Sequence, residues 1–288
     1  MFVTPNKVAF VRKSVREGII PRILLEFLMS RIMIKDSAKL YNDDTIKRLL
    51  NERQIAIKLF MNVMFGYTGA SFSGRMPSSE IADSVVELAR YLLTSSIEDI
   101  DGNPKYGRGK VVYGDTDSIF YHLKGYSVEQ AFKIGEQIAK DMTKKFPYPV
   151  ELKFEKVYDG LVLVSKKRYY GKCFDKLNGN AKYEGKGLEC VRRDGIDLTS
   201  ELMRDTLNLL LDTKDLSKVK DLLLDVLADS RAGLLTEDKY CFAKEVKMLK
   251  YSESSMPSHG HAARQLTRLD PNLIPKYGER MKYLVTKG

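Results

Sequence analysis

The sequence predicts an α+β fold, and three observations carry that expectation. Apolar residues recur at helical spacing over most of the first hundred positions, again over residues 128–146, and again after Asp197. Between these stretches lie short runs rich in Val, Ile, Tyr and Phe, bounded by turn residues, as in antiparallel strands. With 43% hydrophobic and 10% aromatic residues in 288, the chain can bury a substantial core, which excludes a disordered linker or tail as its class.

Residues 1–18 read as an extended lead-in broken by Pro5 and Gly18. Pro21 suits the first turn of a helix, where its missing N–H is not needed. Ile23, Leu24, Phe27, Leu28, Ile34 and Ala38 keep helical spacing to about Tyr41. Asn42-Asp-Asp44 supplies a polar turn and a cap, and a second helix is predicted over 45–65, ended by Gly66. Two long helices joined by so short a turn must run antiparallel. A Gly/Ser-rich loop over 66–79 leads into a third amphipathic helix ending near Asp99. The runs 110–114 and 118–123, separated by a tight polar turn, predict a β-hairpin. Ser127 and Gln130 form a capping box for a helix over 128–146 that buries Ala131, Ile134, Ile138 and Met142. Strand-like runs follow at 151–158 and 161–170, so the middle third is expected to be mixed α and β on an antiparallel sheet. Helical pattern returns after Asp197, and the last thirty residues read as loop, with His259 and His261 solvated in it. There is no internal repeat and no low-complexity tract.

Forty-eight Lys and Arg against 38 Asp and Glu leave a formal charge of +10 and a pI near 9.2. That balance favours a polyanionic partner, nucleic acid first and an anionic membrane surface second. Residues 153–193 carry eleven Lys/Arg against five Asp/Glu, with Tyr158, Tyr169, Tyr170 and Tyr183 interleaved. Basic residues set phosphate register while aromatics pack on sugars and bases, so this stretch reads as a duplex-binding track. No run approaches the ~18 apolar residues of a bilayer span, and no secretory pattern opens the chain. Cys173, Cys190 and Cys241 are too few for a disulfide framework, a zinc knuckle or an iron–sulfur site. A soluble, intracellular, basic chain with no membrane partner is the expectation. Asp99, Asp101 and Asn103 begin like a calcium loop, but Pro104 stands where glycine is obligatory. Gly107-Arg-Gly109 is too short to be a dinucleotide loop.

The most informative segment is Lys110-Val-Val-Tyr-Gly-Asp-Thr-Asp-Ser-Ile-Phe120. Two apolar strands flank Asp115 and Asp117, one residue apart at the turn. Carboxylates that close repel each other, and a bound cation relieves the repulsion. Hard Mg²⁺ prefers a few carboxylates plus phosphate oxygens, the geometry of phosphoryl transfer. An ordinary Asp-rich turn is the bland alternative for a bare Asp-x-Asp. The complete Tyr-Gly-Asp-Thr-Asp-Ser between two apolar strands favours the metal-bearing one. Upstream, Arg31 and Lys35 are four apart on one helical face, as are Lys58 and Asn62 on the next helix. An antiparallel hairpin can bring these stripes together as a patch suited to a triphosphate.

That hexapeptide resembles motif C of the family B DNA polymerases. Arg53-Gln54, Lys58, Asn62 and Phe65-Gly66 resemble the family's motif B, with Val63 and Phe65 where Ser and Tyr are usual. Lys166-Lys-Arg-Tyr169 is similar to the motif that grips primer and template. Gly185-Lys-Gly-Leu-Glu-Cys-Val-Arg-Arg-Asp194 resembles the entry to the thumb. The resemblance covers essentially the whole chain, in the family's order, and its 62–77 stretch looks most like the zeta-type, translesion branch.

The resemblance implies helical fingers over 1–66, a palm on antiparallel sheet over 67–172, and a mainly helical thumb with a loop region over 173–288. It implies template-directed addition of dNTP to a primer 3′-OH in the nucleus, with two Mg²⁺ ions. Asp117 would bridge the ions and Asp115 support them, with Glu155 in an outer role. Arg31, Lys35 and Lys58 would neutralise the triphosphate, Asn62 would position it, and Phe65 and Gly66 would lie beneath the nascent base pair. Lys166, Lys167, Arg168, Tyr169, Lys186, Arg192 and Arg193 would hold primer–template DNA. The partners implied are DNA, dNTP, an N-terminal polymerase part and accessory subunits of the zeta type. The family's second metal-binding carboxylate, an Asp before Ser-Leu-Tyr-Pro, has no counterpart in these residues. The isolated chain is therefore expected to be inactive alone, as a fragment or split product. Two other classes stay open: a non-catalytic DNA-binding remnant, and a Mg²⁺-dependent glycosyltransferase using its Asp-x-Asp on a nucleotide-sugar. The second has no reason to carry the motif B or Lys-Lys-Arg-Tyr stretches.

Overall fold

The computed structural model describes residues 1–70, 77–177, 179–247, 250–276 and 278–286. The chain is α+β. It divides into two compact units, one of 1–126 with 133–154 and one of 127–132 with 155–288.

In the first unit the lead-in folds as a small hairpin, β1 (Phe2–Val3) against β2 (Ala9–Phe10). Buried Thr4 donates from Oγ1 to Val8 O at 2.9 Å, and Asn6 donates to Ser84 Oγ at 3.1 Å. Helix α1 (Ile19–Leu40) accommodates Pro21 in its first turn, as predicted. Helix α2 (Asp44–Gly69) starts at Asp43, whose carboxylate accepts from the N–H groups of Thr45 and Ile46. The two run antiparallel, with the Phe27 and Phe60 rings 4.7 Å apart. The predicted stop at Gly66 is wrong: α2 continues to Gly69. A lone glycine costs a helix about 1 kcal/mol relative to alanine, and Tyr67 and Thr68 carry the turn on, Thr68 Oγ1 donating to Phe65 O. The expected Gly/Ser loop thus shrinks, and its positions 71–76 lie outside the described residues.

Helix α3 (Ser79–Ile100) leads to the hairpin of β3 (Lys110–Asp115) and β4 (Ser118–His122), where the sequence placed it. Helix α4 (Val128–Lys145) opens with the predicted capping box: Ser127 N–H donates to Gln130 Oε1 at 2.9 Å and Gln130 N–H to Ser127 Oγ at 3.3 Å. The core of this unit joins Ile100, Tyr106, Ile138 and Met142, with Val111, Ile119 and Tyr121 of the hairpin packed on it. The calcium-loop lookalike is structural. Asp101 accepts from Val111 N–H at 2.7 Å, Asn103 caps a short 3-10 turn, and Asp99 pairs with Lys145.

In the second unit β5 (Val157–Ser165), β6 (Arg168–Phe174) and β7 (Lys182–Lys186) form an antiparallel sheet in that order. The predicted break between strands, at Asp159-Gly160, is instead an irregularity inside β5. The reversal falls at Lys166-Lys167, where Lys167 takes φ 62°. A lysine gives no sequence warning of a left-handed backbone, whereas Gly160, at φ 98°, does take a positive φ but marks the irregularity inside β5 and not the reversal. Residues 151–156 are not strand, and β7 had no counterpart in the reading. Helices α5 (Asp197–Thr213) and α6 (Leu216–Arg231) follow, with α5 closing a core of Tyr170, Leu188, Cys190 and Leu211.

The last segment is not the expected loop. Strand β8 (Phe242–Glu245), helix α7 (Ser258–Leu269) and strand β9 (Arg280–Tyr283) form a terminal module, β8 pairing with β9. Buried Gly260 and Ala263 let α7 pack closely, and small residues leave a weak periodic signal. Nor is His259 solvated: its Nε2 lies 3.1 Å from the Tyr251 hydroxyl, and its ring meets Tyr251 and Tyr283. His261 is exposed, as predicted. Among the described residues no helix is long and apolar enough to cross a membrane.

Candidate functional site

The tip of the β3–β4 hairpin is a two-residue turn, since Asp115 pairs with Ser118. Thr116 sits in it at φ 56°, a conformation that a β-branched residue adopts only under strain, about 1–3 kcal/mol. Asp117 N–H donates to Asp115 O at 2.6 Å and Ser118 Oγ to the same oxygen at 3.1 Å. Thr116 Oγ1 donates to Asp115 Oδ1 at 3.2 Å. Behind the tip, the Tyr113 and Phe120 rings pack 5.3 Å apart. The turn thus holds two carboxylates on a stiff base, Asp117 exposed and Asp115 half-buried. Among the described residues no group of three or more His, Cys, Asp or Glu could hold a metal. Two hard oxygen donors fit part of a Mg²⁺ shell whose other ligands are phosphate oxygens and water, not a cage built by the protein.

On the helical hairpin, Arg31 Nε donates to Gln54 Oε1 at 3.1 Å. Gln54 lies one turn before Lys58 on the same face of α2, so this bond brings the Arg31 stripe against the Lys58–Asn62 stripe. Arg31 is half-buried, while Lys35, Lys58, Asn62, Phe65 and Gly66 are exposed. Neither α1 nor α2 has a fully buried residue. These groups and the acidic tip belong to the first unit; the basic strands belong to the second.

The β5–β6–β7 sheet has two chemically different faces, because side chains alternate along each strand. Against α5 lie Tyr170, whose hydroxyl donates to Asn208 Oδ1 at 2.8 Å, and Lys172 and Tyr183, which converge on Asp212 at 2.8 and 2.6 Å. Arg168 shares that parity and makes a two-pronged bond to Glu189, at 2.6 and 2.7 Å. The opposite face carries Tyr158, Tyr169 and Glu184, with Tyr169 directly across from Lys186. Gly171 is required there: a Cβ would stand 2.6 Å from the Tyr158 ring. Lys166 and Lys167 occupy the exposed turn at the sheet's end, and a Cβ on Gly187 would collide with Lys167 O. Arg192 is spent on Asp194, at 2.8 and 2.7 Å, and Arg193 is exposed. Glu155 is exposed just ahead of β5.

Glu184 organises the second face, and sequence reasoning missed it. Its carboxylate accepts from Lys156 and lies 3.3 Å from Lys186 Nζ. Burial pushes its pKa up, but the two ammonium groups outweigh burial and the net shift is downward. Burial, and then the charge of Glu184, raise the Tyr158 phenol far above its ordinary range and keep it a neutral donor. Lys156 and Glu184 are 28 residues apart, so only the strand pairing reveals them.

Against known proteins, the family model described as DNA polymerase family B matches residues 1–288. The chain is 44% identical over 287 residues to the DNA polymerase zeta catalytic subunit of Schizosaccharomyces pombe, covering 99% of this chain and 19% of that protein. The human zeta catalytic subunit is 42% identical over 289 residues, 99% of this chain and 9% of that protein. A delta catalytic subunit from Plasmodium falciparum is 32% identical, over 98% of this chain and 26% of that protein. The chain spans about a fifth or less of the zeta subunits it matches. With the acidic tip, the paired helical stripes and the basic sheet all falling inside one continuous match, the chain belongs to DNA polymerase family B.

Proposed function

We propose that this chain is the nucleotide- and primer-handling part of a DNA-directed DNA polymerase. Residues 1–66 act as fingers, 67–172 as palm and 173–288 as thumb. The observation that carries the reading is the β3–β4 tip, where a strained turn holds two carboxylates on a packed hairpin. Strain of this kind persists where the surrounding structure imposes it, commonly at active sites. Asp117, the more exposed carboxylate, and Asp115 would hold Mg²⁺, which supplies neutralisation of phosphate charge during nucleotidyl transfer. Arg31, Lys35 and Lys58 counter the triphosphate charge of dNTP, and Asn62 orients it. Exposed Phe65 offers a flat apolar surface to the base pair. Lys166, Lys167, Tyr169 and Lys186 hold the primer strand.

The zeta relatives support the finer assignment: translesion extension in the nucleus, with the accessory subunits of that type. The second carboxylate of the two-metal reaction must come from outside these 288 residues. Single-nucleotide extension at saturating Mg²⁺ tests the reading. The chain alone should bind primer–template without extending it, and a polymerase segment bearing the second carboxylate should restore extension. In that complex Asp117→Asn should abolish activity. An active Asp117→Asn complex would remove the assignment of the acidic tip.

A further inference from the structure

The face of the β5–β6–β7 sheet opposite α5 holds one carboxylate between two ammonium groups. Lys156 reaches one oxygen of Glu184, and Lys186 Nζ lies 3.3 Å from the other. The two lysines differ in setting. Lys156 has 22% of its side chain exposed and Lys186 has 57%, so Lys156 anchors Glu184 while Lys186 stands at the solvent edge. Lys186 is the last residue of β7 and pairs directly with Tyr169 of β6. Side chains of such a pair start about 5 Å apart, close enough to meet one phosphate group. The backbone there is fixed, because Gly187 turns at φ 65° against the carbonyl of Lys167. What stays free is the four-carbon stem of Lys186, and the Glu184 carboxylate removes that freedom. Tyr169 is held as well: its hydroxyl shares a hydrogen bond with that of Tyr158, whose ring packs on Gly171. Burial, and then the Glu184 charge, keep the Tyr169 phenol protonated and hence a donor.

We propose that Glu184 is a positioning residue for the primer: it holds the Lys186 ammonium beside the Tyr169 hydroxyl, so that both donate to one phosphate of that strand. This rests on the polymerase reading and adds to it a carboxylate that touches no substrate. An ion-pair network that merely stabilises the sheet is the bland alternative. It accounts for Lys156, which alone neutralises Glu184. It does not account for Lys186, since a lysine so exposed adds little stability by pairing. A carboxylate beside a phosphate site weakens binding by repulsion, so what it contributes there is orientation, which acts on rate.

The test uses the full chain, complemented with a polymerase segment bearing the second carboxylate, on primer–template DNA. Thermal melting checks that each variant folds. Glu184→Gln keeps the shape and a hydrogen-bond acceptor but removes the charge. It should slow single-nucleotide extension at saturating dNTP about tenfold while primer–template affinity stays no weaker than wild type. Lys186→Gln should slow extension and weaken affinity together. The double variant should extend no more slowly than Lys186→Gln alone, because Glu184 acts through Lys186. Should Glu184→Gln melt early, Glu184→Asp carries the same comparison, drawing the charge back by one methylene with a smaller loss of rate. Equal falls in rate and affinity, additive losses in the double variant, or a wild-type rate in folded Glu184→Gln would each overturn the positioning role. The polymerase reading would stand in all three, since the wild-type complex would still extend. A wild-type complex that binds primer–template without extending it would overturn both.

Discussion

Arg168 illustrates how a side chain's parity can change its role. It stands in Lys166-Lys-Arg-Tyr169, yet it points to the α5 side of the sheet and is clamped by Glu189. Arg168→Ala should cost about 1 kcal/mol or less, because both partners are partly solvated. Replacing Lys166, Lys167 and Arg168 together by Ala should flatten the salt slope of DNA binding by about two contacts, not three. A loss of three would show that Arg168 leaves Glu189 for phosphate. Thr116 gives a second test at this scale. Thr116→Asn should stabilise the hairpin by about 1 kcal/mol, since Asn tolerates the left-handed region better than a β-branched residue. Chemical denaturation reads the gain, and an unchanged or lower stability would show that the Thr116–Asp115 bond outweighs the strain.

At the scale of elements, the division between α2 and the basic strands predicts separable defects. Lys58→Ala should weaken dNTP use in a complemented polymerase and spare primer–template affinity, because Lys58 lies on an exposed helical face of the first unit. Equal losses in both measurements would refute that division. Tyr170→Phe should loosen α5 from the sheet by about 1 kcal/mol through loss of the bond to Asn208. The helices, the β3–β4 hairpin and its two aspartates were legible because their signals are local: periodicity, caps, and carboxylates flanking a turn. The β5–β6 reversal was not, because its left-handed residue is a lysine. The module around α7 was hidden by small residues. The contacts of Glu184 and Arg280 depend on pairings across dozens of residues, and the half-buried place of His259 depends on rings of Tyr251 and Tyr283 on either side of it, which no spacing rule reports.

For the whole molecule, the charged and buried groups define a stability plateau with unequal shoulders. His259 is held below its ordinary pKa by burial and by Lys244, with Tyr251, Tyr283, Arg280, Asp194 and Glu245 around it. Its neutral form is therefore favoured in the folded state. The stability it contributes is present above about pH 6.5, the unfolded value, and is lost as pH falls below that. Asp194, lowered to about 2 chiefly by Arg192, and Glu184, Asp175 and Asp212, also lowered, act further down. Their contribution is present above about pH 4 and drains away below it. On the alkaline side Lys156 and Lys172 are raised by their carboxylate partners, and Tyr158 by burial. What they add is lost as pH climbs past about 10. Stability should thus be flat from about pH 7 to 8.5, above which the thiols of Cys173 and Cys190, raised by burial, begin to draw it down, and it should decline gently below about pH 6.5 as the β8–α7–β9 module admits a charged imidazole. Below about pH 4 it should fall steeply. Thermal melts across this range, with His259→Phe as the comparison, isolate the first step. The variant should keep the steep acid limb and lose the gentle decline; an identical decline in both would show that His259 is protonated without leaving its place between Tyr251 and Tyr283.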